Sequence, residues 1–246
     1  MTRIAFMNTE IDNLTFKEAL EKIDEIVQKN NNSYVVTPNV DHIVRLETNE
    51  EFQKIYKNAD LILTDGKPLI WISKWYKNPI KEKISGSDLF PFLSQMAADR
   101  GYKMYFLGSA KGVAEKAAQN LCNKYPGLQV VGTYSPSYGF ERDEDEIEKI
   151  IRKIRAVAPH ILVVGLGSPK QEKFIFEYKE RMEVPISLGL GASFDFEAGI
   201  IKRAPKWMSN LGLEWAYRLF KEPKRLLKRY IVDDLKIFPL IKKYRR

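Results

Sequence analysis

His160-Ile-Leu-Val-Val164-Gly165-Leu-Gly167-Ser168-Pro169-Lys170-Gln171-Glu172 is the stretch that decides the fold. An unbroken aliphatic run predicts a strand buried on both faces. It runs into a glycine turn, after which Ser168 is placed to cap a helix and Pro169 suits its first position. Strand, tight turn and helix in direct succession form the repeating unit of a parallel α/β sheet.

Outward from this stretch the same alternation recurs. Strands are predicted at 33–36, 61–64, 102–107, 128–132, 160–164 and 185–190, and helices at 40–49, 67–75, 88–100, 112–124, 143–158 and 169–182. Thr15-Phe-Lys-Glu18 is a capping box that opens an amphipathic helix to about residue 28. The predicted architecture is an α/β, Rossmann-like domain over residues 1–199, a mostly parallel sheet with helices on both faces. A basic, amphiphilic helical appendage follows over 200–246.

The chain has 246 residues, of which 44% are hydrophobic and 29% charged, which excludes a disordered chain, a collagen or a repeat fibre. Its single cysteine, Cys122, forbids an internal disulfide and fits a reducing compartment. No apolar run approaches the roughly 18–20 residues that span a bilayer, and MTRIAFMNTE lacks a signal-peptide core. A cytoplasmic protein is expected.

The net charge of +8 is uneven. Residues 200–246 hold 14 Lys and Arg against 4 Asp and Glu, whereas the rest of the chain is nearly neutral. Such a tail suits a polyanion. Trp207, Trp215 and Phe220 lie among its basic residues, a pattern fit for a membrane interface, where each basic residue contributes about 1 kcal/mol at an anionic leaflet. The alternative is a helix pair packed on the body with a solvated basic face. No RNA-binding pattern supports a nucleic-acid partner.

Ligands of open α/β sheets bind beyond the carboxyl ends of the strands. Those ends carry Thr37-Pro-Asn39, Asp65-Gly66, Gly108-Ser109, Gly165 to Glu172, and Gly191-Ala-Ser193-Phe-Asp195. One crevice collects them all. The Gly165–Glu172 turn offers an anion a helix N-terminus, with Gln171 in its first turn; a capped turn without ligand is the alternative. Asp65 suits a general base or a helix cap, Thr37 a hydroxyl ligand or a cap, and Asp195 a ribose or base acceptor or a local turn. Neither a third glycine in dinucleotide spacing nor a Walker A pattern is present. His42 and His160 pair with no cysteine or carboxylate at ligand spacing, so no metal site is expected. Asp143-Glu-Asp145-Glu146 reads as the acidic first turn of a surface helix.

Several ordered segments together give a resemblance. They are Thr37-Pro-Asn39, Asp65-Gly66, Ser85-Gly-Ser-Asp88-Leu89, Gly108, Gly165-Leu-Gly167-Ser-Pro169-Lys-Gln171-Glu172, Gly191-Ala-Ser193-Phe-Asp195, Arg203-Ala-Pro205, Gly212-Leu-Glu214-Trp215, Tyr217-Arg218-Leu219 and Glu222-Pro-Lys-Arg225. The chain resembles the WecG/TagA/CpsF glycosyltransferases over nearly its whole length. The resemblance implies inverting transfer of a sugar, N-acetylmannosamine in the teichoic acid enzymes, from a UDP donor to polyprenyl-diphosphate-linked GlcNAc at the inner leaflet of the cytoplasmic membrane. It implies Asp65 as base, and Thr37 and Asn39 lining the sugar or acceptor pocket. Gly167, Gln171 and Asp195 would contact UDP, and Arg218 and Arg225 would meet the lipid diphosphate or the membrane. Gly108, Lys170 and Glu172 complete the substrate-binding candidates, with Lys83, which stands where many relatives carry arginine. No cofactor and no metal are expected, and self-association is an option the resemblance raises.

Two alternatives remain at this level. One is the same fold acting on UDP-glucose or UDP-N-acetylmannosaminuronic acid. The other is a nucleotide-binding module without chemistry, its tail holding lipid or RNA.

Overall fold

The computed structural model describes residues 3–210, 212–221 and 223–245. An antiparallel hairpin, β1 (Arg3–Phe6) and β2 (Thr9–Asp12), precedes α1 (Phe16–Lys29). The capping box of α1 is complete: Glu18 N donates to Thr15 Oγ1 at 3.3 Å, and Thr15 N to Glu18 Oε2 at 2.6 Å.

The body then alternates. Its order is β3 (Ser33–Val36), α2 (Val40–Leu46), α3 (Glu50–Lys57), β4 (Leu61–Ile62), α4 (Lys67–Trp75), α5 (Gly86–Arg100), β5 (Lys103–Gly108) and α6 (Val113–Lys124). It continues with β6 (Gln129–Tyr134), α7 (Glu144–Val157), β7 (Ile161–Gly165), α8 (Lys170–Met182), β8 (Ile186–Gly189) and the short α9 (Ser193–Glu197). Strands β3 to β8 form one sheet in the order β4-β3-β8-β7-β5-β6. Every pairing in it is parallel.

Successive strand residues serve opposite cores, which is why the strands read as continuous apolar runs. Tyr34, Val36, Leu162 and Val164 pack with Ile43, Phe52, Ile150 and Phe174 on one side. Val35, Ile161, Val163 and Leu188 pack with Ile23, Phe90, Ala114 and Phe194 on the other.

The strand expected over 61–64 is confined to Leu61–Ile62, and two further departures from the sequence expectation change the order of elements. The β1–β2 hairpin is not expected from the sequence, since Thr9-Glu-Ile-Asp12 holds a single apolar residue and lacks the continuous apolar run of the sheet strands. The helix expected over 40–49 ends at Leu46, and Asn49 caps a separate α3 by accepting from Phe52 N at 2.9 Å. A side-chain cap competes there with helix continuation.

Beyond α9 come α10 (Lys206–Asn210), α11 (Glu214–Lys221), α12 (Pro223–Lys228), a π turn (Arg229–Asp233), a 3-10 turn (Asp234–Lys236) and α13 (Ile237–Lys243). This segment docks on the body and leaves several large apolar side chains exposed. Leu226 and Ile237 are buried, Tyr76 OH donates to Ile241 O at 2.8 Å, and Tyr244 OH to Glu47 Oε2 at 3.0 Å. Trp207, Trp215, Phe220, Ile231 and Phe238 remain exposed. Among the described residues no helix is long and apolar enough to cross a membrane.

Glycine is required where β5 and β7 end side by side. Gly108 has φ +112°, and a Cβ there would lie 2.6 Å from the Gly165 carbonyl carbon. A Cβ on Gly165 would collide with the Phe194 ring and lie 2.9 Å from Gly191 O. Gly165→Ala is therefore expected to cost ~1–3 kcal/mol of stability through overpacking. Urea unfolding measures it, and an unchanged midpoint would mean that Phe194 yields freely.

Candidate active site

The carboxyl edge of the sheet brings the β3 and β4 loops together by backbone bonds. Asp65 N donates to Pro38 O at 2.8 Å, and Ile84 N donates to Thr64 O at 2.7 Å. Thr37, Asn39, Asp65 and Lys83 thus sit on adjoining segments. Asp65 is half-buried and does not cap the helix that follows. The N-cap of α4 is Gly66, at φ +101°, with no side-chain cap bond. Burial pushes the Asp65 carboxyl up to about 6; Lys83 and Arg218 pull it down, while Glu214 and Asp88 push it up.

Around this carboxyl lies a network of charges. Lys83 Nζ is 2.7 Å from Asp88 Oδ2 and 4.0 Å from Glu214 Oε2. Ser85, the N-cap of α5, donates its hydroxyl to Asp88 Oδ2 at 2.6 Å. Arg203 pairs with the other Asp88 oxygen and donates to Ser87 Oγ at 3.2 Å. Burial alone would raise Asp88, yet the bonds from Lys83 and Ser85 hold it at about 2. Burial alone would lower Lys83, yet Asp88, Asp65 and Glu214 keep it above its usual value. The guanidiniums of Arg203 and Arg218 each lie 5.9 Å from the Phe196 ring, which joins the tail to the β8 end. Arg218 Nε is buried and meets no hydrogen-bond partner among the described residues.

These charges set the pH response. If Asp65 acts as a base, activity falls as pH drops through about 6, where the carboxylate takes up its proton. Lys83→Met removes an attractive positive charge and is expected to move this acid limb to higher pH. Glu214→Gln removes a repelling negative charge and is expected to move it lower. A kcat/KM profile across pH 5–8 (roughly the span about that limb) reads both shifts, and an unmoved limb in both variants would exclude Asp65 as the group observed.

The other predicted residues occupy the same edge with different surroundings. Thr37 is buried, and the cap of α2 is Asn39, whose Oδ1 accepts from His42 N at 3.2 Å. Ser109 N donates to Gly165 O at 2.8 Å, joining the β5 and β7 turns. Ser168 does not cap α8. Pro169 is the N-cap residue, without a side-chain bond: its carbonyl accepts the helical bond from Lys173 N at 3.1 Å. Lys170 turns outward, paired with Glu141 and 5.0 Å from the Tyr138 ring. Beside it Ser109, Tyr138, Gly165 and Leu166 line a pocket of about 200 Å³. Gln171 and Glu172 point inward and are buried. Asp195 stands half-buried in the first turn of α9, and its backbone carbonyl accepts from Ile200 N and Ile201 N at 3.0 and 3.1 Å. Arg225 lies on α12, and its side chain falls outside the described residues.

Asp88, Arg203 and Glu214 were not among the predicted site residues. Asp88 reads in sequence as an acid in the first turn of a capped helix, and only the fold brings two cations to it. Among the described residues no three His, Cys, Asp or Glu side chains converge as a metal site. Asp143 is a helix cap, accepting from Glu146 N at 3.1 Å, as its place before an acidic first turn implied.

Fold and site define a parallel α/β protein whose carboxyl edge holds a half-buried carboxyl group beside Lys and Arg, a setting for group transfer from an anionic donor. The family model described as "Glycosyl transferase WecG/TagA/CpsF family" matches residues 4–246, and the chain belongs to this family of glycosyltransferases. It is 33% identical over 199 residues to a Bacillus spizizenii protein, covering 81% of this chain and 75% of the relative. It is 29% identical to a Bacillus subtilis protein over 90% of this chain and 83% of the relative. A Staphylococcus aureus protein is 28% identical over 91% and 87%. All three are named N-acetylglucosaminyldiphosphoundecaprenol N-acetyl-beta-D-mannosaminyltransferase.

Proposed function

We propose that the protein transfers N-acetylmannosamine, with inversion, from a UDP donor to polyprenyl-diphosphate-linked GlcNAc. The observation that carries this reading is Asp65: a carboxyl at a strand end, unused as a helix cap, raised to about 6 and within the field of Lys83 and Arg218. The names of the relatives support the choice of sugar and acceptor.

In an inverting displacement the acceptor hydroxyl attacks the anomeric carbon as the bond to the β-phosphate oxygen breaks. UDP leaves with that electron pair, and the hydroxyl proton passes to Asp65. Lys83 and Arg218 balance the charge growing on UDP, the task a divalent metal performs elsewhere, so the reaction proceeds without one. Thr37 and Asn39 line the sugar pocket. Gly108, Gly167 and Asp195 shape the donor site, with the start of α8 turned to its phosphates. Arg225 joins Arg218 at the lipid diphosphate. The basic tail, with Trp207, Trp215 and Phe220 exposed, holds the protein at the anionic inner leaflet as a peripheral enzyme.

The deciding experiment is UDP release from UDP-N-acetylmannosamine with a short-chain lipid-diphosphate-GlcNAc acceptor in EDTA. Acceptor-dependent release is the expected result. Strict dependence on Mn²⁺ would overturn metal independence. Release from UDP-glucose or UDP-N-acetylmannosaminuronic acid instead would replace the donor. UDP binding without turnover of any donor would leave a binding module.

A further inference from the structure

Beneath the crevice runs a line of buried polar side chains that the proposed chemistry does not use. Tyr56 on α3 places its hydroxyl 2.6 Å from His42 Nδ1 on α2. His42 Nε2 lies 4.0 Å from Glu172 Oε1 on α8, and the same oxygen accepts from Gln171 Nε2 at 2.8 Å. Gln171 Oε1 in turn accepts from Gly191 N, just beyond β8, at 3.1 Å. Tyr56, His42, Gln171 and Glu172 are each at most 4% exposed. The line ties together the segments that follow β3, β7 and β8.

Glu172 decides which way the Gln171 amide points. As a carboxylate its oxygen only accepts, so it takes the NH₂ end of the amide; the carbonyl end is left for the Gly191 N–H. A flipped amide would set oxygen against oxygen at Glu172 and donor against donor at Gly191. Space reinforces the choice. A Cβ on Gly189 would stand 2.8 Å from Gln171 Nε2, so the amide is wedged against the strand end. Past Gly191 the chain enters α9, which carries Asp195 and Phe196, and the Phe196 ring lies beneath Arg203 and Arg218.

We infer that Glu172 is a positioning residue: backed by His42 and Tyr56, it locks the Gln171 amide so that Gly191 and the α9 turn hold the donor-nucleotide side of the crevice in shape. This rests on the proposed donor site. It changes the expectation for Glu172 from a substrate contact to a residue acting through Gln171.

Two readouts separate this inference from the proposed function. The first needs no substrate: the Gly191 backbone amide resonance in uniformly ¹⁵N-labelled protein. Glu172→Leu keeps bulk but removes the acceptor, and is expected to shift that resonance. Glu172→Gln retains an acceptor oxygen and is expected to leave it near the wild-type position. The second readout is UDP affinity by calorimetry together with donor KM and kcat. Glu172→Leu is expected to weaken UDP and raise KM about tenfold with kcat within about threefold, and Glu172→Gln to restore both. Gly189→Ala, which pushes the amide from its other side, is expected to reproduce the KM effect and keeps the test open should Glu172→Leu not fold. An unmoved Gly191 resonance in Glu172→Leu, or a Glu172→Gln that binds as poorly as the leucine variant, would overturn the inference. A wild type that binds no UDP would instead overturn the donor site, and the resonance would still decide the role of Glu172.

Discussion

Asp65→Asn is expected to lower kcat by roughly 10²–10⁴, the usual contribution of a positioned general base, while UDP still binds. The asparagine keeps the shape of the side chain but cannot accept the acceptor's proton. The burial that raises the carboxyl to about 6 also predicts the stability of this variant. A folded-state value above the unfolded one means that at pH 7 the ionised form is disfavoured by the fold. A neutral amide escapes that penalty, so Asp65→Asn should melt at or above the wild-type temperature. Loss of turnover with undiminished melting temperature and intact UDP binding separates a catalytic role from a structural one. Full turnover in the variant would remove Asp65 from the mechanism.

Arg218→Ala is expected to be the next most damaging change, lowering kcat by roughly 10²–10³, the range for removing one preorganised group from a developing anion. Arg218 sits on α11 with its guanidinium over Phe196 and its buried Nε without a hydrogen-bond partner among the described residues, as a cation awaiting an anion would be. It also pulls the Asp65 carboxyl down, so its loss should move the acid limb of the pH profile upward. Arg218→Lys restores the charge without the planar fork and should recover part of the rate and most of the limb position. Single-turnover release of UDP from the donor measures the first effect, and the kcat/KM profile the second. Unchanged kcat in Arg218→Ala would show that Lys83 alone suffices for the departing diphosphate.

The two changes act on groups separated by more than 150 positions in the chain, and that separation explains how unevenly the site could be read beforehand. Asp65, Thr37, Asn39 and the Gly165–Glu172 turn were legible because each follows a strand, and strand ends share one edge of a parallel sheet. Asp88 and Glu214 were not. A serine followed three residues later by an acid is the ordinary sign of a helix start, and it carries no trace of the lysine and arginine that meet Asp88 in space. Gln171 is a donor-contact candidate by its place at the helix start; an α-helical first turn also has an inward face, and in the fold its side chain lies on that one, bonded to Glu172 and Gly191.

What the sequence by itself determined is local or repetitive: the Thr15–Glu18 cap, the buried apolar strands, the alternation that makes the sheet parallel, and the basic, aromatic tail. These follow from hydrogen bonds within a few residues and from apolar runs, which a linear reading can see. Tertiary structure alone decided the strand order, the break between α2 and α3, and the buried line from Tyr56 to Gly191. It also decided how the tail sets Glu214 and Arg218 beside Asp65. Each of these depends on which distant groups share low-dielectric space, and desolvation and Coulomb energy act through distance in the folded molecule, not along the chain.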